Sequence, residues 1–262
     1  MPAVSGSVRL RTAALIVDPY RADALDMTVT FGKDGTSAVL ENASVCGITL
    51  SGSLHTSGNQ VEAGLTPRAR GIQLADSARC VFRKDLGISG SYDLAGQING
   101  RGTWDTLRSS LSGSFFFAAS QGRFQSDNIV KGVIAYLNST SLLKGSHDKL
   151  LKEGVPYETF SLRGTFREGT VRLSEGVIKS RDIQMATEGT ISLREGTLAL
   201  DILAAPFTRL DRFLGNVPLV KYLVGNALVV VPARVEGTFE HPSVKPLPVS
   251  GVGRNVTNLM KN

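Results

Sequence analysis

Two cysteines, Cys46 and Cys80, are all that this 262-residue chain carries. That is too few for a disulfide-stapled scaffold or a cysteine-based zinc site; one bridge could form in an oxidising compartment, but spacing alone does not decide it. Histidine is as scarce. His55, His147 and His241 are far apart, and none belongs to a His-x-x-x-His pair or a Cys/His cluster, so no metal centre is expected. Aromatic residues make up 6% and are not interleaved with Lys and Arg, which argues against a single-stranded nucleic-acid surface. There is no Gly-x-Ser-x-Gly elbow, and Gly100-Arg101-Gly102 lacks the third glycine and the βαβ setting of a dinucleotide site. The longest apolar stretch, NVPLVKYLVGNALVVVPARV, is broken by Pro218, Lys221, Gly225, Asn226 and Pro232, short of the roughly 18 apolar residues of a membrane span. The opening MPAVSGSVRLRT has no apolar core of a signal peptide. The expectation is either a cytosolic chain or a piece of a longer protein.

What is present is glycine and alternation. The 28 glycines are spread along the chain, and hydrophobic residues reach 42% against 20% charged, a composition that folds. The formal charge of +6, with no run of Lys or Arg, reads equally as a solvated basic surface or as a surface for anionic lipid or nucleic acid. Glu-Gly-Thr occurs at 168–170, 188–190, 195–197 and 236–238, and Gly-Ser or Gly-Thr followed by an apolar residue recurs from Gly6 to Gly237 at irregular intervals. Most of these glycines precede period-two runs: Val171 and Leu173 flank Arg172, Ile191 and Leu193 flank Ser192, and Leu198, Leu200 and Ile202 alternate with Ala199 and Asp201. Such runs make half-buried antiparallel strands. Glu-Gly-Thr is therefore expected to mark the start of successive strands, with residues 194–197 as a hairpin turn.

Two segments carry helical spacing instead. Ile129, Val130, Val133, Ile134 and Leu137 form one apolar stripe; Phe207, Leu210, Phe213 and Leu214 form another, closed by Gly215 and Pro218. Weaker helical patterns cover Thr103–Ser110 and the C-terminus, the latter using Val252, Val256, Leu259 and Met260. These helices either cover the apolar face of a sheet or cap an apolar groove. The fold class expected is mainly β: an elongated, twisted antiparallel sheet or groove, a meander with a few amphipathic helices packed on it or capping it.

From Gly122 onward the order of patterns resembles the C-terminal region of the AsmA family, which includes TamB-like and bridge-like lipid transfer proteins of the Gram-negative envelope. The residues that carry the resemblance are GRFQSDNIVKGVIAYLN, then VPYETFSLRGTFREGTVRLSEGVIKSRDIQMATEGTISLREGTLALDI, FLGNVPLVKYLVG and the closing VEGTFEHPSVKP. GSVRLRTAALIV, CGITLSGSLHT and ISGSYDLAGQINGRGTWDTLRSSLSGSFFFAASQG fit the family's earlier strands less specifically. The resemblance is closest over residues 84–247. Family members are typically held in the inner membrane by an N-terminal helix that this sequence does not show.

The resemblance implies three parts: an N-terminal β-groove segment over 1–121, an AsmA-like meander with two helices over 122–248, and a tail over 249–262. It implies a non-enzymatic envelope protein that binds or conducts phospholipid acyl chains in outer-membrane biogenesis, without a cofactor and without nucleic acid. The implied location is periplasmic, with inner-membrane anchoring in the full-length protein. Expected groove-lining residues are Val171, Leu173, Ile183, Met185, Ile191, Leu193, Leu198, Leu200 and Ile202. Expected groove-capping residues are Ile129, Val133, Ile134, Leu137, Phe207, Leu210 and Leu214. The competing reading is a structural assembly factor that helps outer-membrane protein partners insert by β-strand pairing, with an exposed edge strand and a closed interior.

Overall fold

The computed structural model describes residues 5–125, 132, 135–136, 152–181, 183–206, 222–224, 228–248 and 253–259. Strands follow one another as β1 (Gly6–Val17), β2 (Tyr20–Gly32), β3 (Gly35–Val45), β4 (Ile48–Ser57), β5 (Gln60–Gln73), β6 (Ile88–Gly102) and β7 (Ser112–Phe124). They continue with β8 (Val155–Arg167), β9 (Thr170–Lys179), β10 (Ile183–Ser192), β11 (Thr197–Pro206), β12 (Tyr222–Val224), β13 (Leu228–Thr238) and β14 (Pro242–Pro246). All pair antiparallel, in chain order from β1 to β11; β13 then pairs with β11 and carries both short strands, β12 and β14. The expected mainly β meander is the observed one. The sheet runs without a break across the 121/122 boundary, which falls inside β7.

The hairpins show why the sequence punctuates itself with glycine. Glu168 and Gly169 both take positive φ, 51° and 81°, the pairing that a two-residue hairpin turn requires between twisted strands. Glu195-Gly196-Thr197 opens β11 as expected, whereas the triplets at 188–190 and 236–238 serve other ends, which corrects the expectation that each begins a strand. Gly189 lies within β10 at a register shift, where a Cβ would stand 2.2 Å from the Ala199 carbonyl oxygen, and Glu236-Gly237-Thr238 closes β13. Several mid-strand glycines instead face an aromatic ring across the ladder. Gly113 pairs with Phe166, Gly164 with Phe115 and Gly122 with Tyr157, each leaving space that the ring crosses.

Three short helices lie wholly within the described residues. The first, α1 (Leu74–Phe82), was not anticipated, although Leu74, Ala78 and Val81 have the i, i+4, i+7 spacing that could have shown it. The second, α2 (Trp104–Leu107), runs on into a 3-10 turn at Arg108–Ser110, as the spacing of that segment predicts. The third, α3 (Arg254–Leu259), uses Val256 and Leu259 as expected. Of the stripe over 129–137, Gly132, Ala135 and Tyr136 are described, and they are helical. The stripe over 207–214 lies outside the described residues.

Candidate functional site

Directly paired residues of antiparallel strands project to the same face, so the register can be read as rows across the sheet. One row runs Leu10, Met27, Leu40, Gly52, Leu65, Ile98, Gly113, Phe166, Val171, Ile191, Leu198 and Gly237, from β1 to β13. Every member is apolar or glycine. The row beside it runs Arg9, Thr28, Val39, Ser53, Gly64, Asn99, Ser112, Arg167, Thr170, Ser192, Thr197 and Thr238. Apart from Val39 and Gly64 it is polar. Along these rows the sheet has one apolar and one polar face, a path of about 50 Å at the usual strand spacing of roughly 4.8 Å.

The apolar face is covered unequally. On the C-terminal strands it is sealed: Leu173, Ile183, Leu198, Leu200, Ile202, Val231 and Val235 form a buried cluster, with Tyr136 packed against it and its hydroxyl donating to the Pro232 carbonyl. The opposite face is also closed there, where α3 sets Val256 against Ala186, Leu203, Ala205 and Val230. In the middle, Tyr92, Phe117, Phe124, Tyr157 and Phe160 pack together, mostly edge to face, with ring centroids 5.0–5.9 Å apart. Burial pushes the Tyr157 hydroxyl up to about 12, so it stays a neutral donor to the Ser89 carbonyl oxygen. On the first strands the same face is open, with Val8 59%, Leu10 42% and Phe31 41% exposed.

One end of the open part is closed by α1. Leu74 packs with Ile48, Ile72 and Tyr92, Ser77 donates to the Cys46 carbonyl at 2.8 Å, and a Cys46–Cys80 disulfide joins the helix to the β3–β4 turn. The Tyr20 hydroxyl donates to the Val81 carbonyl at 3.1 Å, and Arg83 donates to that of Pro19 at 3.0 Å, tying the helix end to the β1–β2 turn. The pairing of the cysteines, which spacing left open, is thus formed.

The expected lining residues fall mostly together. Leu173, Ile183, Leu198, Leu200 and Ile202 belong to the sealed cluster, with Met185 and Ile191 packed against it and Val171 half-buried on the long row. Leu193 does not join them: β10 ends at Ser192, the Leu193 N–H donates to the Gly169 carbonyl at 2.8 Å in the turn, and the side chain is 61% exposed. The expected capping residues Ile129, Val133, Ile134, Leu137, Phe207, Leu210 and Leu214 lie outside the described residues. What sequence reasoning missed is the open stretch of the face, on Val8, Leu10, Met27, Val29, Leu40 and Leu54; alternation in GSVRLRT and ITLSGSLHT held the signal.

The polar face carries ion pairs and shallow relief. Arg234 makes a two-pronged contact with Asp201, at 2.7 and 3.0 Å, and Arg163 pairs with Glu175 at 3.3 Å while lying 4.8 Å over the Phe116 ring. A depression of about 440 Å³ on this side is lined by Arg68, Gln97, Ser114, Phe116, Arg163 and Thr165. Among the described residues there is no group of three or more His, Cys, Asp or Glu placed to hold a metal, and no helix long and apolar enough to cross a membrane. Comparisons with protein-family models, curated proteins and solved structures found no match to this chain.

Proposed function

We propose that the apolar face binds phospholipid acyl chains, as a non-enzymatic lipid-binding or lipid-conducting surface of a cell envelope. The observation that carries this reading is the unbroken apolar row from Leu10 to Leu198, left uncovered on the first strands and backed by a polar face. Each methylene moved from water onto such a surface gains about 0.8 kcal/mol, so several along the row hold a chain without any specific bond. Headgroups stay at the wet margins of the sheet. The Cys46–Cys80 bridge supports an oxidising compartment, and the resemblance to the AsmA family supports a periplasmic site with inner-membrane anchoring in the full-length protein.

Leu200 and its neighbours are already buried within the protein, so the open strands are the place to test the reading. Lipids extracted from the purified chain are weighed by mass spectrometry beside those from a Leu40→Asp/Leu54→Asp variant. Stoichiometric phospholipid in the parent, lost from a variant with unchanged circular dichroism, is the expected result. A lipid-free, monodisperse parent that takes up no phospholipid from vesicles would sink the proposal.

A further inference from the structure

On the polar face of the middle strands two depressions lie side by side. One, of about 440 Å³, includes Thr66 of β5, Gln97 of β6 and Ser114 of β7. The other, of about 420 Å³, includes the residues two places along the same strands, Gly64, Asn99 and Ser112. Residues two apart on a strand share a face, so the depressions form one trough that follows β6 from Arg101 to Ala95, roughly 20 Å at the usual rise per residue. Small residues open it: Gly64 lies between Ser53 and Asn99, and Ala95 between Arg68 and Phe116. The amides of Gln97 and Asn99 and the hydroxyls of Ser53, Thr66, Ser114 and Thr165 line it, and these side chains make no hydrogen bond with another described residue.

Charge narrows the ligand. Across β4–β9 the four rows of the trough carry Arg68, Arg101, Arg163, Arg167 and Arg172 against Glu62 and Glu175. Among the described residues only Arg163 of these arginines has a carboxylate partner, Glu175 at 3.3 Å, and its guanidinium lies over the Phe116 ring. A neutral sugar would leave the other four unmatched. Single-stranded nucleic acid stacks its bases on open aromatic rings, and Phe116, the ring on this face of the trough, is taken by Arg163. Closely spaced amides and hydroxyls suit a chain of hydroxyl groups, and a guanidinium suits a carboxylate, which it can grip with two hydrogen bonds. We infer that the trough binds an acidic oligosaccharide, a chain of sugars bearing carboxylates. Gln97 and Asn99 meet its hydroxyls at the centre, and Arg68 and Arg101 meet carboxylates toward the two ends. The site lies on the face opposite the proposed lipid surface and does not depend on it.

Tetragalacturonate is titrated into the full chain by calorimetry, beside neutral maltotetraose and an oligothymidylate of equal charge. The expected result is that tetragalacturonate binds at least about tenfold more tightly than either. Gln97→Ala/Asn99→Ala removes the central amides without changing the charge, and Arg68→Gln/Arg101→Gln removes charge at both ends. All four side chains are exposed, so each variant should keep its circular dichroism while losing about tenfold or more in affinity for tetragalacturonate. No binding of tetragalacturonate overturns the inference, as does equal binding of maltotetraose. Full affinity in the Gln97/Asn99 variant also overturns it, because attraction by charge alone would then suffice. Oligothymidylate that binds as tightly or more so would make nucleic acid the ligand instead.

Discussion

The first five strands and the last six write the same alternation of apolar and polar residues, yet its fate differs. Val8 and Leu10 are 59% and 42% exposed, whereas Leu173 and Leu198, on the same face, are 5% and 4%. The difference lies in what covers the face. Tyr136 and the neighbouring strands seal it at the C-terminal end, α3 backs the sheet from behind, and among the described residues β1 and β2 have only the α1 corner. Alternation specifies which side chains share a face; coverage specifies whether that face is core or surface, and coverage comes from elsewhere in the chain.

The sharpest way to probe this contrast is one substitution made twice. Leu200→Asp places a charge in the sealed cluster and should cost about 4 kcal/mol or more, enough to unfold those strands. Leu10→Asp, on the open part, should move stability by no more than about 0.5 kcal/mol. Urea unfolding of the two variants measures the gap, and equal effects would mean that the two regions are not differently covered. Next in size is the clamp on the open half. Cys46→Ser/Cys80→Ser should lower stability by about 2–4 kcal/mol, with faster hydrogen exchange first in α1 and the β3–β4 turn.

How much of this was legible in the sequence can be argued residue by residue. Leu198, Leu200 and Ile202 against Ala199 and Asp201 announced a two-faced strand, and the register bears that out. Leu193 misled because period two does not say where a strand stops. The helix α1 was lost among flanking strand patterns, since a stripe of nine residues competes poorly with longer alternating runs. The glycines of β7 and β8 looked like turn signals, yet Gly113 and Gly164 are defined by rings on the next strand, a relation that no local window contains.

That relation gives a smaller effect, in the middle of the sheet where the two regions meet. Gly113→Ala would set a Cβ 2.0 Å from the Gln97 carbonyl oxygen and 2.7 Å from the Phe166 ring, and should cost about 1–3 kcal/mol by thermal unfolding. Gly6→Ala, whose Cβ meets nothing within 4 Å, is the control. The smallest effect is one of pH at the open edge. The hydrogen bond from Arg9, with help from Arg11, holds Asp26 at about 2, below its ordinary 3.8. Because the folded value is depressed, the clamp's stabilisation is complete above the ordinary value and is lost as pH falls toward about 2. The difference in Tm between the parent and Asp26→Asn should therefore shrink over that interval, and a constant difference would refute the clamp.

Chain order and strand order coincide from β1 to β11. In such a meander each strand pairs with the strands before and after it, so length is a free variable of the design. Inserting one hairpin would add about 10 Å of apolar path at the usual strand spacing without rethreading any other part of the chain. Duplication of a single genetic segment could thus set how far such a surface reaches, as links set the length of a chain-mail strip.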